Sequence, residues 1–199
     1  MSEEATKELR EFVEELTMIA RSGQSISIVS GFHFAWWGGV IAAACLVTLL
    51  AIEYSLPLRD QYIWPIAICL GWLGSRVITK KIRQDDRAGK RSFANQVTKH
   101  VWVAIGVAAT VIILIEASQV VSFGGRGYFI IFALCAIGLV TTGAVAHEPL
   151  LGLSGAGWFA SGAVTLFFAP SASLVYAATI IACIIFLVIP GLIIGVRKA

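Results

Sequence analysis

Charge is scarce in this chain. Only 14% of its 199 residues are Asp, Glu, Lys or Arg, against about 25% in an average soluble domain, and that shortage excludes an ordinary globular protein. Mean hydropathy is +0.84. Alternating polar and apolar stretches of roughly ten residues, the mark of a membrane-spanning β-barrel, are also missing. The N-terminus has no basic segment leading into an early apolar run, so a cleaved signal peptide is not expected. No pair of the four cysteines has the spacing Cys-x-x-Cys, which removes a sequence-level case for a disulfide framework or zinc site. At roughly 20 apolar residues per span, the length holds six membrane helices and leaves no room for a soluble catalytic domain.

What remains is long uncharged runs, and these count the spans. They extend from Gly31 to Ile52, from Gln61 to Ser75, from His100 to Ile115, from Gly127 to His147 and from Pro149 to Val196. The last, 48 residues long, would measure about 72 Å as one helix, over twice a hydrocarbon core of about 30 Å. It must turn back once, and Ala169-Pro170-Ser171-Ala172-Ser173 is the place. The fold expected is therefore all-α, a polytopic membrane protein. Residues 1–30 form a cytoplasmic amphipathic helix and tether, and 31–199 a domain of six transmembrane helices near 32–52, 61–79, 100–121, 127–147, 150–169 and 173–195.

Six spans put both termini on one side. Thirteen of the fifteen Lys and Arg residues then share that side, eight of them from Arg76 to Lys99 around the 80–98 loop, leaving Arg59 and Arg126 on the other. The positive-inside rule makes the basic side cytoplasmic. That loop lies under an anionic leaflet and lacks interleaved aromatics, so a nucleic-acid partner is not expected.

Before the membrane, Leu9, Phe12, Val13, Leu16 and Ile19 recur at helical spacing and make one apolar stripe over residues 3–21. The rest of that helix is acidic, six Glu against Lys7, Arg10 and Arg21, the wrong sign for binding anionic lipid. Two uses follow: packing on the protein's own basic loop or on a second copy, or docking into a groove on a protein partner.

Candidate chemistry is sparse. His33, His100 and His147 all fall at the cytoplasmic boundary, where three imidazoles at one depth could hold a metal or haem if packing brought them together; facing headgroups is the plainer use, and no cofactor is expected. Glu116 is the deepest ionisable residue, either paired with Arg126 or serving as an ion or solute site. No acidic or basic residue lies near mid-span, which counts against ion-coupled transport. The cysteines, one in each of four spans, suit small buried apolar positions, with a soft-metal cluster the alternative. Tyr62 to Cys69, Tyr128 to Cys135 and Tyr176 to Cys183 share the spacing Tyr-x6-Cys, with Trp102 to Gly106 and Trp158 to Gly162 as a weaker counterpart, a hint of three related helical hairpins. Small residues Ala35, Gly39 and Ala43, Gly157 and Ser161, and Gly191 and Gly195 are spaced for close helix contact, and Pro190 should kink the sixth span.

Gly152-Leu153-Ser154-Gly155 resembles the Gly-x-Ser-Gly nucleophile motif of rhomboid intramembrane proteases, also built on six helices. The chain departs from that family in having no histidine from 172 to 199, so it is not expected to be an enzyme. As a whole, the acidic N-terminal helix, His33 with Trp36, Pro149-Leu150-Leu151-Gly152 leading to Trp158, and Pro190-Gly191-Leu192 before Arg197 resemble small six-helix bacterial inner-membrane proteins. That resemblance implies an architecture and a location, without an activity. The expectation is a non-enzymatic accessory or regulatory subunit working through its N-terminal helix. The alternatives are a small-solute permease acting as a homo-oligomer and a haem or metal binder.

Overall fold

The computed structural model describes residues 12–13, 31–58, 60–85, 93–118, 125–168 and 171–197. Among them every regular element is helical: α1 Gly31–Glu53, α2 Asp60–Asp85, α3 Phe93–Ala117, α4 Gly125–Val145, α5 Pro149–Phe168, α6 Ala172–Cys183, a π-helical turn Ile184–Val188, and α7 Ile189–Arg197. The last three are continuous, so the described chain contains six helices long and apolar enough to cross a membrane. This is a multi-pass membrane protein. The third span sits nearer the N-terminus than the uncharged run suggests, at Gln96–Glu116. Its helix ends where the Ser118 hydroxyl donates to the Ile115 carbonyl (2.7 Å), capturing one of the carbonyls that a helix end leaves without an intrahelical donor.

Glycines set the closest approaches. A Cβ on Gly143 would lie 2.6 Å from the Gly152 nitrogen, and one on Gly155 would lie 2.9 Å from the Ala136 carbonyl; α4 and α5 therefore meet backbone to backbone, as small residues permit in lipid. The first span does the same with the last. A Cβ on Gly191 would stand 2.5 Å from the Ala35 nitrogen, and one on Gly38 would stand 2.7 Å from Leu187 Cβ. The expected stripe of Ala35, Gly39 and Ala43 is thus half right: Gly31, Ala35 and Gly38 make the contact, whereas Gly39 has nothing within 4 Å of where its Cβ would be. Gly39, about 100° around the helix from Gly38 at 3.6 residues per turn, falls just beyond the edge of that seam.

The core lies where α1, α4, α5 and the sixth span converge. Leu139 and Cys183 are wholly buried, and Phe132 stacks on Trp158 with ring centroids 4.8 Å apart. By contrast α2 and α3 are peripheral, with 17% and 11% of their membrane windows buried against 44% for the sixth span. Three buried hydroxyls are satisfied within their own helices, whereas Thr48 Oγ1 is buried without a hydrogen-bond partner. Thr142, Ser154 and Thr179 each donate to the carbonyl four residues back, at 2.7–2.8 Å, which removes the cost of a bare hydroxyl in hydrocarbon.

Two helix ends share one device. Leu56 and Ser55 donate to the Ala51 and Ile52 carbonyls, and Glu148 and His147 to those of Gly143 and Ala144, the paired bonds of a Schellman cap. The residue at the left-handed position is Ser55 in one and His147 in the other, with φ of 51° and 50°. Glu148 then begins the next helix, its carbonyl accepting from Leu151, and Pro149 occupies the first helical position, where no amide hydrogen is needed. Pro190 explains the π-helical turn. It has no hydrogen to give the Phe186 carbonyl, and the register widens just before it, with Ile189 donating to Ile184, five residues back. The expected disturbance at Pro190 is a wider turn.

Candidate functional site

Of the N-terminal stripe, Phe12 and Val13 are described; both are helical and more than half exposed. Leu9, Leu16 and Ile19 lie outside the described residues.

At the basic end of the bundle, α1 and α2 are laced together by aromatic donors. Trp37 Nε1 donates to Ser75 Oγ (2.8 Å), and Trp36 Nε1 donates to the Gly71 carbonyl (3.2 Å). The indoles reach that far because Gly71 and Gly74 present no side chain: a Cβ on Gly71 would fall on the Trp37 ring and one on Gly74 on the Trp36 indole. His33 closes the row. Thr79 commits its proton to the Ser75 carbonyl (2.7 Å), so the His33 Nε2 contact to Thr79 Oγ1 (3.1 Å) places the donor on histidine. Sequence reasoning missed this row, although Gly71, Gly74 and Ser75, three and four residues apart, are the signal that would have found it.

The other histidines stand elsewhere. His100 donates from Nδ1 to the Gln96 carbonyl on its own helix (2.6 Å), and His147 caps α4. Among the described residues, no three or more His, Cys, Asp or Glu side chains are grouped so as to hold a metal ion; His33, His100 and His147 share an end of the bundle without converging.

Toward the opposite end, Glu116 is half-buried near the close of α3; the side chain of Arg126, its expected partner, is outside the described residues. There the Tyr128 and Tyr176 hydroxyls lie 2.7 Å apart, with rings edge to face. Two helical turns deeper, Cys135 and Cys183 follow on the same two helices, Cys183 near both Cys45 and Cys135. Two of the three Tyr-x6-Cys segments thus lie side by side. The third, Tyr62 with Cys69, faces outward on α2. All four cysteines are free thiols.

Compared with protein-family models, curated proteins and solved structures, the chain matches none of them. The reading therefore rests on its own geometry. Trp102 ties α3 to α4 through Nε1 and Thr142 Oγ1 (2.9 Å) and meets Phe34 of α1 edge to face. Ser154, the residue in the protease-like motif, is 2% exposed and donates its hydroxyl to Leu150. Among the described residues Trp36, Trp37 and Trp102 donate from one helix to another, and the core is filled by Phe132, Leu139, Trp158 and Leu187.

Proposed function

We propose that this chain is a non-enzymatic membrane subunit with an accessory or regulatory role, resident in a bacterial inner membrane with both termini cytoplasmic. It engages a protein partner through the helix over residues 3–21. The observation that carries the reading is the filled interior. Phe132 and Trp158 are 2% exposed and Leu139 wholly buried, at the level where a permease would need a wet path, and the surrounding spans supply no charge there. A bundle whose described core is filled in this way acts through its surfaces. The exposed Phe12 and Val13, on an acidic helix beside an anionic membrane, suit a groove on another protein better than headgroups.

The test is mass spectrometry of proteins that co-purify with a tagged copy, gently solubilised from its own membrane, with and without residues 1–22. A stoichiometric partner that disappears on deletion, while the six spans still insert, supports the reading. A partner retained after deletion, or no partner at all, overturns it.

A second reading, a permease formed between copies, draws on one observation: Glu116 is on α3, the least covered helix. Solute flux into proteoliposomes that is lost in Glu116→Gln would favour it.

A further inference from the structure

Arg76, Lys80 and Lys99 stand at one boundary of the membrane. The apolar stretch of α2 ends at Lys80 and that of α3 begins at Gln96, which puts Arg76 and Lys80 in the closing turns of one span and Lys99 in the first turn of the next. All three side chains are exposed, and among the described residues none has an ion-pair partner. Trp72 joins the two helices below them. Its ring meets Trp37 edge to face, with centroids 6.0 Å apart, and lies 3.6 Å from where a Cβ on Gly106 of α3 would be. From that common level Lys99 is seven residues along α3, on the face of Gly106, and Lys80 is eight along α2. At about 1.5 Å per residue both lie roughly 10–12 Å nearer the headgroups, with Arg76 about 6 Å above Trp72. Trp72 also differs from its neighbours in the use of its N–H. Trp36, Trp37 and Trp102 each donate to another helix, whereas the Trp72 indole, 46% exposed, has no acceptor among the described residues.

We propose that this surface across α2 and α3 binds the headgroup of one anionic phospholipid from the adjoining leaflet. Charge selects the occupant. A phosphodiester carries one negative charge, and Arg76 can offer it two parallel N–H donors. Lys80 and Lys99 add positive charge above it, one from each helix, as in the basic pockets between membrane helices that hold lipid headgroups. A zwitterionic lipid would bring its own ammonium group against three unpaired cations, while a glycerol headgroup brings no positive charge. Depth selects a lipid over a soluble anion. Trp72 lies a turn below Arg76, where a phospholipid has its glycerol esters beneath the phosphate, and indoles favour that level because an ester carbonyl can accept the N–H while the ring stays among the chains. A soluble phosphate has nothing to offer there. The site needs neither the partner proposed for residues 3–21 nor a particular orientation of the bundle.

Native mass spectrometry of the full chain in mild detergent tests it, with phosphatidylglycerol and phosphatidylcholine of identical acyl chains supplied in equal amounts. The expected result is one phosphatidylglycerol retained per chain, preferred over phosphatidylcholine by about tenfold or more. Arg76→Gln, Lys80→Gln and Lys99→Gln together should bring the two lipids to parity. Trp72→Phe, which keeps a ring beside Gly106 and removes the N–H, should lower phosphatidylglycerol retention severalfold. Arg197→Gln removes an exposed cation at the same end but across α1, which turns Gly31, Ala35 and Gly38 to the sixth span and His33, Trp36 and Trp37 to α2; it should leave the preference unchanged. No preference for the anionic lipid, a loss in Arg197→Gln as large as in the triple variant, or full retention in Trp72→Phe overturns the proposal. So does retention seen only after residues 1–22 are removed, which would make the acidic N-terminal helix the occupant.

Discussion

The hydroxyl of Tyr128 on α4 is 2.7 Å from that of Tyr176 on α6, a bond across two helices that are 48 residues apart in the chain. Tyr176 is 3% exposed, so losing the bond to Tyr128 there is not made good by water. Tyr128→Phe and Tyr176→Phe should each lower unfolding stability by about 1 kcal/mol. The double variant should cost less than their sum, because one shared bond is removed in all three proteins. Unfolding in mixed micelles measures all four corners of the cycle, and strict additivity would show that the hydroxyls act independently.

Gly191 and Gly39 provide a contrast within one motif class. Gly191 abuts the α1 backbone and Gly39 meets nothing. Gly191→Leu should separate the first and last spans and cost on the order of 3 kcal/mol, like other overpacked sites. Gly39→Ala should stabilise by up to about 1 kcal/mol through helix propensity. Equal effects at the two positions, read from thermal unfolding in detergent, would refute the assignment of α1's contact face.

His147 and Ser55 hold left-handed backbone without being glycine. An L-residue there carries about 1–2 kcal/mol of steric cost, so His147→Gly and Ser55→Gly should each raise stability, by about 0.5–1 kcal/mol after the entropy of glycine is subtracted. If His147→Gly instead destabilises the fold, the imidazole makes an interaction that outweighs its backbone strain.

The four thiols should separate by accessibility. Cys69 faces outward on α2, whereas Cys45 and Cys183 are 1% and 0% exposed. A small membrane-permeant maleimide should modify Cys69 first and reach Cys45 and Cys183 only after denaturation, as peptide mapping over a time course would show. Early labelling of Cys183 would mean that the core opens in the native state.

Much of the architecture was legible because hydrocarbon imposes one rule: uncharged runs of sufficient length become helices, and six were countable. Helix partners were harder. The sequence offers Gly38 and Gly39 as adjacent small residues, and which of them faces the sixth span depends on the rotation of α1, set by Gly191 and Leu187 about 150 residues away. The α1–α2 row was hidden for a related reason. Nothing in the spacing of Trp36 and Trp37 names a partner, and only the two glycines opposite reveal that their indoles reach a neighbouring helix. The histidines shared a depth that the sequence could supply, but sharing a depth leaves open the angle around the bundle at which each one stands.

The seam between α1 and the last span also bears on how the protein is made. On leaving the ribosome, α1 presents Gly31, Ala35 and Gly38 to a partner synthesised about 150 residues later, while α4 and α5 can close on each other as soon as both have emerged. During that interval the small-residue face of α1 has only lipid and α2 against it. Assembly of these six spans is therefore expected to finish with a ring closure, in which α1 and the sixth span meet last. A truncated chain stalled before Pro190 would accumulate with its first span open to competing helices.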